Sequence, residues 1–388
     1  MKPRKLVLQI EESVNKPNKK IIFLWGTRQT GKSTILNYLY EKYGGSYFNF
    51  DNLDDQRLFS PELAKLESSI ILKSNKSDSP YIFIDEVQKY PESTQSIKLL
   101  ADMTDHVVVA TGSSEMRAKT NQFDTLAGRY KDFVLFPLTV DELAVFKGEK
   151  IKFTSRSNHA ESQFFIRYLE EMMIYGSYPG VTLAENRIEE LKNITQNSVV
   201  KDIVNIYNLK NTDLVYNLLR VLAMQIGNLI NLTELASSLG TTKITLDNYL
   251  SILSKNRIIF LLEPYRTNKR RAYLERKKVF FTDLGVRNTL IDDFRPINVR
   301  QDFGAVFENM IILGALRQTY YQKNNNKLFY FREIAGAQKE IDLIIETPKG
   351  IKSGYEIKFS DGKINKFPDL KIDNYEVVSQ ENAAEFLV

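Results

Sequence analysis

The chain opens its apolar pattern with a continuous run, Ile21-Ile22-Phe23-Leu24-Trp25, that ends at a glycine and passes into a helical stripe, Ile35-Leu36-Asn37-Tyr38-Leu39-Tyr40. Comparable runs recur at residues 46–50, 81–84, 106–111 and 133–136. Runs of this kind, apolar throughout or nearly so, with Ser46 and Asn49 the polar positions of the second, predict strands of a parallel sheet. From about residue 143 to 211 the pattern is helical, broken at Tyr175-Gly176-Ser177-Tyr178-Pro179-Gly180. An amphipathic helix follows at 214–226, then a short helix stopped by Gly240, a second helix through 253 and a strand at 258–262. Two helices joined at a glycine and followed by a strand predict a winged helix-turn-helix. Beyond it lie an apolar helix at 304–316 and strands at 328–332, 340–346 and 354–358.

This order predicts an α/β protein in four parts: a parallel-sheet domain at 1–145, a helical lid or bundle at 146–212, a winged helix-turn-helix at 213–285 and a smaller α/β domain at 286–388. A chain of 388 residues is too long for one ordinary core, which agrees with that division. The absence of cysteine excludes disulfides, thiolate zinc sites and a cysteine nucleophile. With only His106 and His159, imidazole metal clusters and Ser-His-Asp catalysis are all but excluded as well. Any metal is therefore expected to be hard and oxygen-bound, Mg²⁺ or Mn²⁺. The net charge of +5 says little about partners, so local clustering has to carry that question. No run approaches a membrane span and the first residues lack a long apolar stretch, so the expected location is the cytoplasm.

The chemistry begins where the first strand ends. Gly26-Thr27-Arg28-Gln29-Thr30-Gly31-Lys32-Ser33-Thr34 spells a P-loop between a strand and a helix. A triphosphate needs inward-pointing backbone N–H groups at the positive end of a helix, and the two glycines let the loop approach closely. Lys32 would reach the β- and γ-phosphates, and the Ser33 hydroxyl would take one place on Mg²⁺. The strand at 81–84 ends in Asp85-Glu86, which puts Asp85 on the Mg²⁺ shell and Glu86 where a water could be activated. The strand at 106–111 runs into Gly112-Ser113-Ser114, so Thr111, Ser113 or Ser114 could orient water and γ-phosphate, or form a plain turn. Arg129 follows Gly128 and could act on the γ-phosphate, in cis or from a neighbouring subunit, or be simply solvated. Asp51 could touch the nucleotide or cap the next helix.

Together, Gly26 to Ser33, Ile84-Asp85-Glu86-Val87-Gln88, Thr111-Gly112-Ser113-Ser114 and Leu126-Ala127-Gly128-Arg129 resemble the archaeal and bacterial AAA-type P-loop ATPases that carry a poorly characterised C-terminal domain. The resemblance covers nearly the full chain and implies ATP binding and hydrolysis. Ser33 stands where threonine is also common in such proteins, and either hydroxyl serves Mg²⁺.

In the middle region, the second helix of the helix-turn-helix would offer Thr242, Lys243, Thr245 and Asn248 to a DNA groove. The run Arg266-Thr267-Asn268-Lys269-Arg270-Arg271-Ala272-Tyr273, with Arg276, Lys277 and Lys278, fits phosphate contacts from the wing or a solvated basic hairpin. In the last part, Asp342 interrupts an apolar strand, an expensive place for an acid without a partner. Glu356 and Lys358 stand two apart and so share one face of a strand. An acidic strand, a hairpin and Glu-x-Lys resemble the PD-(D/E)xK, restriction-endonuclease-like fold. That resemblance implies Asp342 and Glu356 as metal ligands, Lys358 as the group that positions or deprotonates water, and Glu308 on the preceding helix as support. The expected function is an ATP-dependent, DNA-binding and DNA-processing enzyme, possible as a homo-oligomer; the alternative is a non-cleaving ATP switch that binds nucleic acid or a protein partner.

Overall fold

The computed structural model describes residues 2–16, 20–76, 78–113, 126–149, 153, 159–207, 209, 211–266, 276–333, 339–360 and 370–388. The chain divides into two compact units, Met1–Phe136 and Pro137–Val388.

The first unit holds strands β1 (Ile21–Gly26), β2 (Ser46–Asn49), β3 (Tyr81–Asp85), β4 (Val107–Ser113) and β5 (Tyr130–Leu135), in the order β2-β3-β4-β1-β5. All four pairings are parallel. The apolar runs explain the order, since β1 and β4 are buried at every position and take the centre. Helices α1 (Lys5–Asn15), α2 (Lys32–Tyr43), α3 (Leu53–Leu58), α4 (Leu63–Lys73) and α5 (Ser93–Met103) complete the unit. Its core is aromatic: Phe23 stacks on Trp25 with ring centroids 5.1 Å apart, and Phe59 meets both Phe48 and Phe50 edge-on. Asn52, not Asp51, caps α3 by accepting the Asp54 N–H, whereas Asp51 faces Lys89 at 3.4 Å.

The second unit begins with α6 (Val140–Phe146), α7 (His159–Tyr175), α8 (Pro179–Leu183), α9 (Arg187–Asn193), a π-helical stretch Ile194–Lys201 and α10 (Asp202–Tyr207). Then come α11 (Thr212–Met224), α12 (Leu232–Ser238), α13 (Lys243–Lys255), strands β6 (Ile259–Pro264) and β7 (Lys278–Phe281), α14 (Leu284–Ile291) and α15 (Phe303–Gln322). Strands β8 (Lys327–Arg332), β9 (Glu340–Glu346), β10 (Lys352–Ile357) and β11 (Asn374–Val378) and helix α16 (Ala384–Leu387) close the chain. α11 buries Val215, Leu218, Leu219 and Leu222, one face of a helix at the spacing its sequence predicts.

The three segments expected after residue 145 are not separate bodies. The hairpin β6–β7 and the C-terminal strands form one six-stranded sheet, β11-β10-β9-β8-β6-β7, because β6 pairs with β8 at Glu263–Phe329 and Pro264–Tyr330. One apolar core runs from Leu138 through the helices to Leu387. α15 lies within this core and is buried at ten of its positions on all sides, so its length reads as a core helix.

Candidate active site

The P-loop occupies the carboxyl end of β1, where the strand hands over to α2. Gln29 and Gly31 have positive φ, 62° and 96°, and this left-handed pair curls the backbone so that successive N–H groups can face one ligand. Lys32 is buried and its Nζ donates to the Thr27 carbonyl at 2.9 Å; the Thr30 hydroxyl donates to the same oxygen at 2.9 Å. Ser33 is half-buried at the first turn of α2, while Thr34 is exposed. Gly26 is required sterically, since a Cβ there would stand 2.6 Å from the Leu135 carbonyl oxygen.

One strand away from β1, β4 brings Ser113 level with Gly26, and β3 brings Ile84 level with Ala110. Asp85 and Glu86 therefore leave the sheet at the same end as the P-loop, two strands over, or roughly 10 Å between backbones. Asp85 is buried and accepts from the Thr111 hydroxyl, from the Tyr47 hydroxyl at 3.3 Å and from the Glu86 N–H at 3.1 Å. Burial, and then the Asp85 charge, push the Tyr47 phenol well above its usual range, so it remains a donor to that carboxylate. Glu86 sits at φ 55°, a strained position for a residue with a Cβ. Its carboxylate accepts from the Gln88 amide, whose oxygen accepts the Ser113 N–H at 3.2 Å. Thr111 and Ser113 thus tie the acids to the strand beside the P-loop; Ser114 lies outside the described residues.

Arg129 does not join this group. It precedes Tyr130, and Tyr130 pairs with Ile21 at the amino end of β1, while Leu135 is the residue beside Gly26. Five residues of extended chain separate the two ends, about 16 Å, so Arg129 cannot serve the P-loop of its own chain. Its Nε instead donates to Asp102 at 2.7 Å at the end of α5.

A second polar site lies in the second unit. Glu308 on α15, Glu340 and Asp342 on β9, and Lys278 at the head of β7 meet around one ammonium. Lys278 Nζ is 3.0 Å from Glu308, 2.5 Å from Glu340 and 3.9 Å from Asp342. Burial alone would lower the Lys278 pKa, but the carboxylates Glu308, Glu340 and Asp342 outweigh it and raise it. Burial pushes the Glu308 carboxyl up to about 7 against the opposing pull of Lys278, and Asp342 is raised for the same reasons. Asp342 also accepts the Ile357 N–H at 2.8 Å, and Lys358 pairs with Glu356 at 3.0 Å. The expected ligands Asp342 and Glu356 and the supporting Glu308 are therefore engaged by lysines and a backbone N–H, and Lys358 by Glu356. Among the described residues no group of three or more acidic or imidazole side chains is arranged to hold a metal ion.

The wing residues also differ from expectation. Residues 267–275 lie outside the described residues. Lys278, read as a phosphate contact, is instead buried in the cluster; Lys277 pairs with Glu263 at 2.8 Å, and Arg266 donates to the Arg332 carbonyl at 2.8 Å. Thr242 caps α13 through the Thr245 N–H, and its hydroxyl meets that of Thr245 at 2.9 Å, which leaves Lys243, Ile244, Asp247 and Asn248 as the exposed start of that helix.

Residues 18–144 match the model of an AAA domain family. This first part is a P-loop ATPase domain. Residues 166–296 and 303–388 match two further families described as domains of unknown function, DUF8612 and DUF4143. The uncharacterized protein MJ1544 of Methanocaldococcus jannaschii is 26% identical over 376 residues, covering 92% of this chain and 81% of its own. An uncharacterized protein of Haemophilus influenzae is 22% identical over 311 residues, covering 76% of this chain and 74% of its own. Among solved structures, the Walker-type ATPase paby2304 of Pyrococcus abyssi aligns with a TM-score of 0.49 at 14% identity, over 75% of this chain and 96% of that one.

The ATPase domain contains two site residues that its motifs do not reveal, Tyr47 and Arg4, and one, Gln88, that closes a motif to which no role was assigned. Tyr47 and Gln88 orient Asp85 and Glu86, and Arg4 donates to the P-loop. Gln88 stands two residues after Glu86 and was visible in the sequence; Tyr47 is brought to Asp85 only by the pairing of β2 with β3.

Proposed function

We propose that the protein binds and hydrolyses ATP with Mg²⁺ and uses the nucleotide state to govern a grip on DNA by its second unit. The phosphate end of the reading rests on the buried Lys32 and the left-handed Gly31. The oxygen donors that would hold Mg²⁺ are the Ser33 hydroxyl and Asp85, whose carboxylate is already oriented by Thr111 and Tyr47. That ion neutralises phosphate charge when bound. Glu86, held by Gln88, is the base that takes a proton from the attacking water. Glu86→Gln keeps the hydrogen bond but loses the basicity. Turnover is expected to fall by about 100-fold or more with ATP affinity changed less than about threefold, which steady-state kinetics and nucleotide titration would read together.

For the second unit, the support is the arrangement of α11, α12 and α13 followed by the hairpin β6–β7, with a bridge from Leu229 to Lys278, in the manner of a winged helix. Between α13 and the hairpin lies a groove of about 750 Å³ lined by Lys243, Asp247, Ser251, Lys255, Arg276 and Lys277. Lys243, Lys255 and Arg276 are exposed, and each is placed to meet a backbone phosphate. Replacing all three by alanine is expected to weaken DNA binding across sequences and to reduce the slope of log affinity against log salt by about 2.7. An unchanged slope in filter-binding or anisotropy titrations would remove DNA from the reading.

A helix, then antiparallel β8, β9 and β10, then β11 parallel to β10, is the arrangement that supports a restriction-endonuclease-like reading of the C-terminal strands. The observation that favours holding over cutting is Lys278. It occupies with its ammonium the place among Glu308, Glu340 and Asp342 that a divalent cation would need, which favours a non-cleaving module. The cleaving alternative is favoured by the complete set Glu308, Asp342, Glu356 and Lys358. Labelled linear, circular and single-stranded DNA incubated with Mg²⁺ or Mn²⁺, with and without ATP, separates them. Cutting by the wild type that vanishes in Lys358→Ala would overturn the non-cleaving reading.

A further inference from the structure

Arg4 stands immediately before α1 with an extended backbone, φ −123° and ψ 138°, and does not cap that helix. Its side chain turns inward instead and is 5% exposed. Nη1 donates to the Thr30 carbonyl at 2.8 Å and Nη2 to the Phe136 carbonyl at 2.7 Å. One acceptor lies on the P-loop itself and the other just past β5, the strand beside the start of that loop. Thr30 precedes Gly31 at the exit of the P-loop, and Phe136 follows Leu135, the residue paired with Gly26 at its entrance. A single planar cation therefore ties the exit of the P-loop to the end of the neighbouring strand, a task its fork of donors suits and a lysine ammonium does not.

The stereochemical consequence follows from the peptide between Thr30 and Gly31. A trans peptide is planar, so its C=O and N–H point in opposite directions. Holding the Thr30 oxygen against Arg4 turns the Gly31 N–H away from Arg4 and fixes its direction. Gly31 itself, at φ 96°, has the conformational freedom that makes a flipped peptide easy to reach without such an anchor. The buried guanidinium also places a permanent positive charge behind the loop, where little solvent screens it.

We propose that Arg4 is a positioning residue for nucleotide binding, which sets the direction of the Gly31 N–H toward the phosphate and supports the anion with its charge. The inference rests on the ATPase reading of the P-loop. It predicts that ADP and ATP lose affinity together, because both bring phosphates to the same loop, while the chemical step is affected less.

The test is titration of the full-length protein with ADP and with ATP, alongside steady-state hydrolysis and nucleotide-free thermal melts, for the wild type, Arg4→Ala, Arg4→Gln and Arg4→Lys. Arg4→Ala and Arg4→Gln are expected to weaken both nucleotides at least tenfold and to raise KM by a similar factor, with kcat changed less. Arg4→Lys keeps the charge and can reach one carbonyl, so its affinities should fall between those of the wild type and Arg4→Gln. Should the alanine variant fail to fold, the glutamine and lysine variants carry the comparison. A purely structural role would lower the melting temperature and leave ADP affinity within twofold in every folded variant, and that result would overturn the proposal. A wild type that bound neither nucleotide would instead overturn the ATPase reading beneath it.

Discussion

Replacing Lys32 with alanine is expected to abolish ATP turnover, with kcat/KM falling at least about 100-fold, the scale for losing one preorganised charge at a transferring phosphoryl group. The direction follows from the position of the side chain. Lys32 is buried at the first turn of α2, with its ammonium on the Thr27 carbonyl at 2.9 Å, so it is an internal charge of the loop and not a solvated one. Removing it leaves the helix N-terminus and the left-handed Gly31 backbone, which still attract an anion but offer no cation to the β- and γ-phosphates. Phosphate release by the purified protein measures the loss. Arg28 is half-buried on the same loop and provides the comparison, since Arg28→Ala is expected to cost far less than Lys32→Ala. Equal losses in the two variants would mean that general charge, and not the P-loop geometry, binds the nucleotide.

The P-loop was legible because its chemistry is local: a strand, two glycines, a lysine, a hydroxyl and a helix are contiguous. Asp85 and Glu86 were legible for a related reason, as acids at the end of an apolar strand must emerge at the sheet's carboxyl edge. β4 stands between β1 and β3 and so brings Thr111 and Ser113 beside both the P-loop and the acids. For Arg129 the information that excludes action on the P-loop of its own chain was present. Arg129 precedes its strand, and in a parallel sheet the residues before a strand lie at the opposite end from those after one.

Other features depend on contacts that no window of sequence contains. Arg4 reaches acceptors 26 and 132 positions away. The merging of the hairpin with the C-terminal sheet depends on two residue pairs between β6 and β8, and it turns three expected domains into one core. Lys277 and Lys278 show the limit most sharply. Both read as members of one basic run, but successive residues of a strand face opposite sides, so Lys277 meets Glu263 near the surface and Lys278 enters the carboxylate cluster. The apolar Val279-Phe280-Phe281 that follows Lys278 was the sequence sign that its strand was buried.

Lys278 gives the largest expected effect on stability. In Lys278→Met the apolar stem is retained and the charge is lost, which leaves Glu308, Glu340 and Asp342 crowded in a buried site without their cation. Breaking a buried ion pair from one side costs roughly 3 to 5 kcal/mol, which for a unit of this size lowers the melting temperature by about 10 °C. The pH dependence has a defined sign. Glu308 carries a folded pKa of about 7, above its unfolded value near 4.5, so its contribution to stability is fully present below about pH 4.5 and is lost as pH rises through 7. Removing Lys278 deletes the charge that holds this value down, so the window of loss, which still begins near pH 4.5, extends to higher pH and the total loss grows. The variant should be nearly as stable as the wild type at pH 5 and much less stable at pH 8. The double variant Lys278→Met, Glu308→Leu should recover much of the deficit, because a pair removed together leaves one fewer uncompensated charge than a pair cut in half.

The same substitution tests what the cluster is for. With the ammonium gone, three carboxylates face one another with nothing to neutralise them, and a divalent cation becomes the cheapest remedy. Millimolar Mn²⁺ is expected to raise the melting temperature of Lys278→Met by several degrees and to leave the wild type unmoved, since only a ligand that binds the folded form stabilises it. Stabilisation of the wild type to the same extent would mean that Lys278 yields its place to metal, and the cleaving alternative would then gain the ion it needs. Stabilisation confined to the variant would mean that the lysine keeps the site closed to metal, which favours the non-cleaving reading.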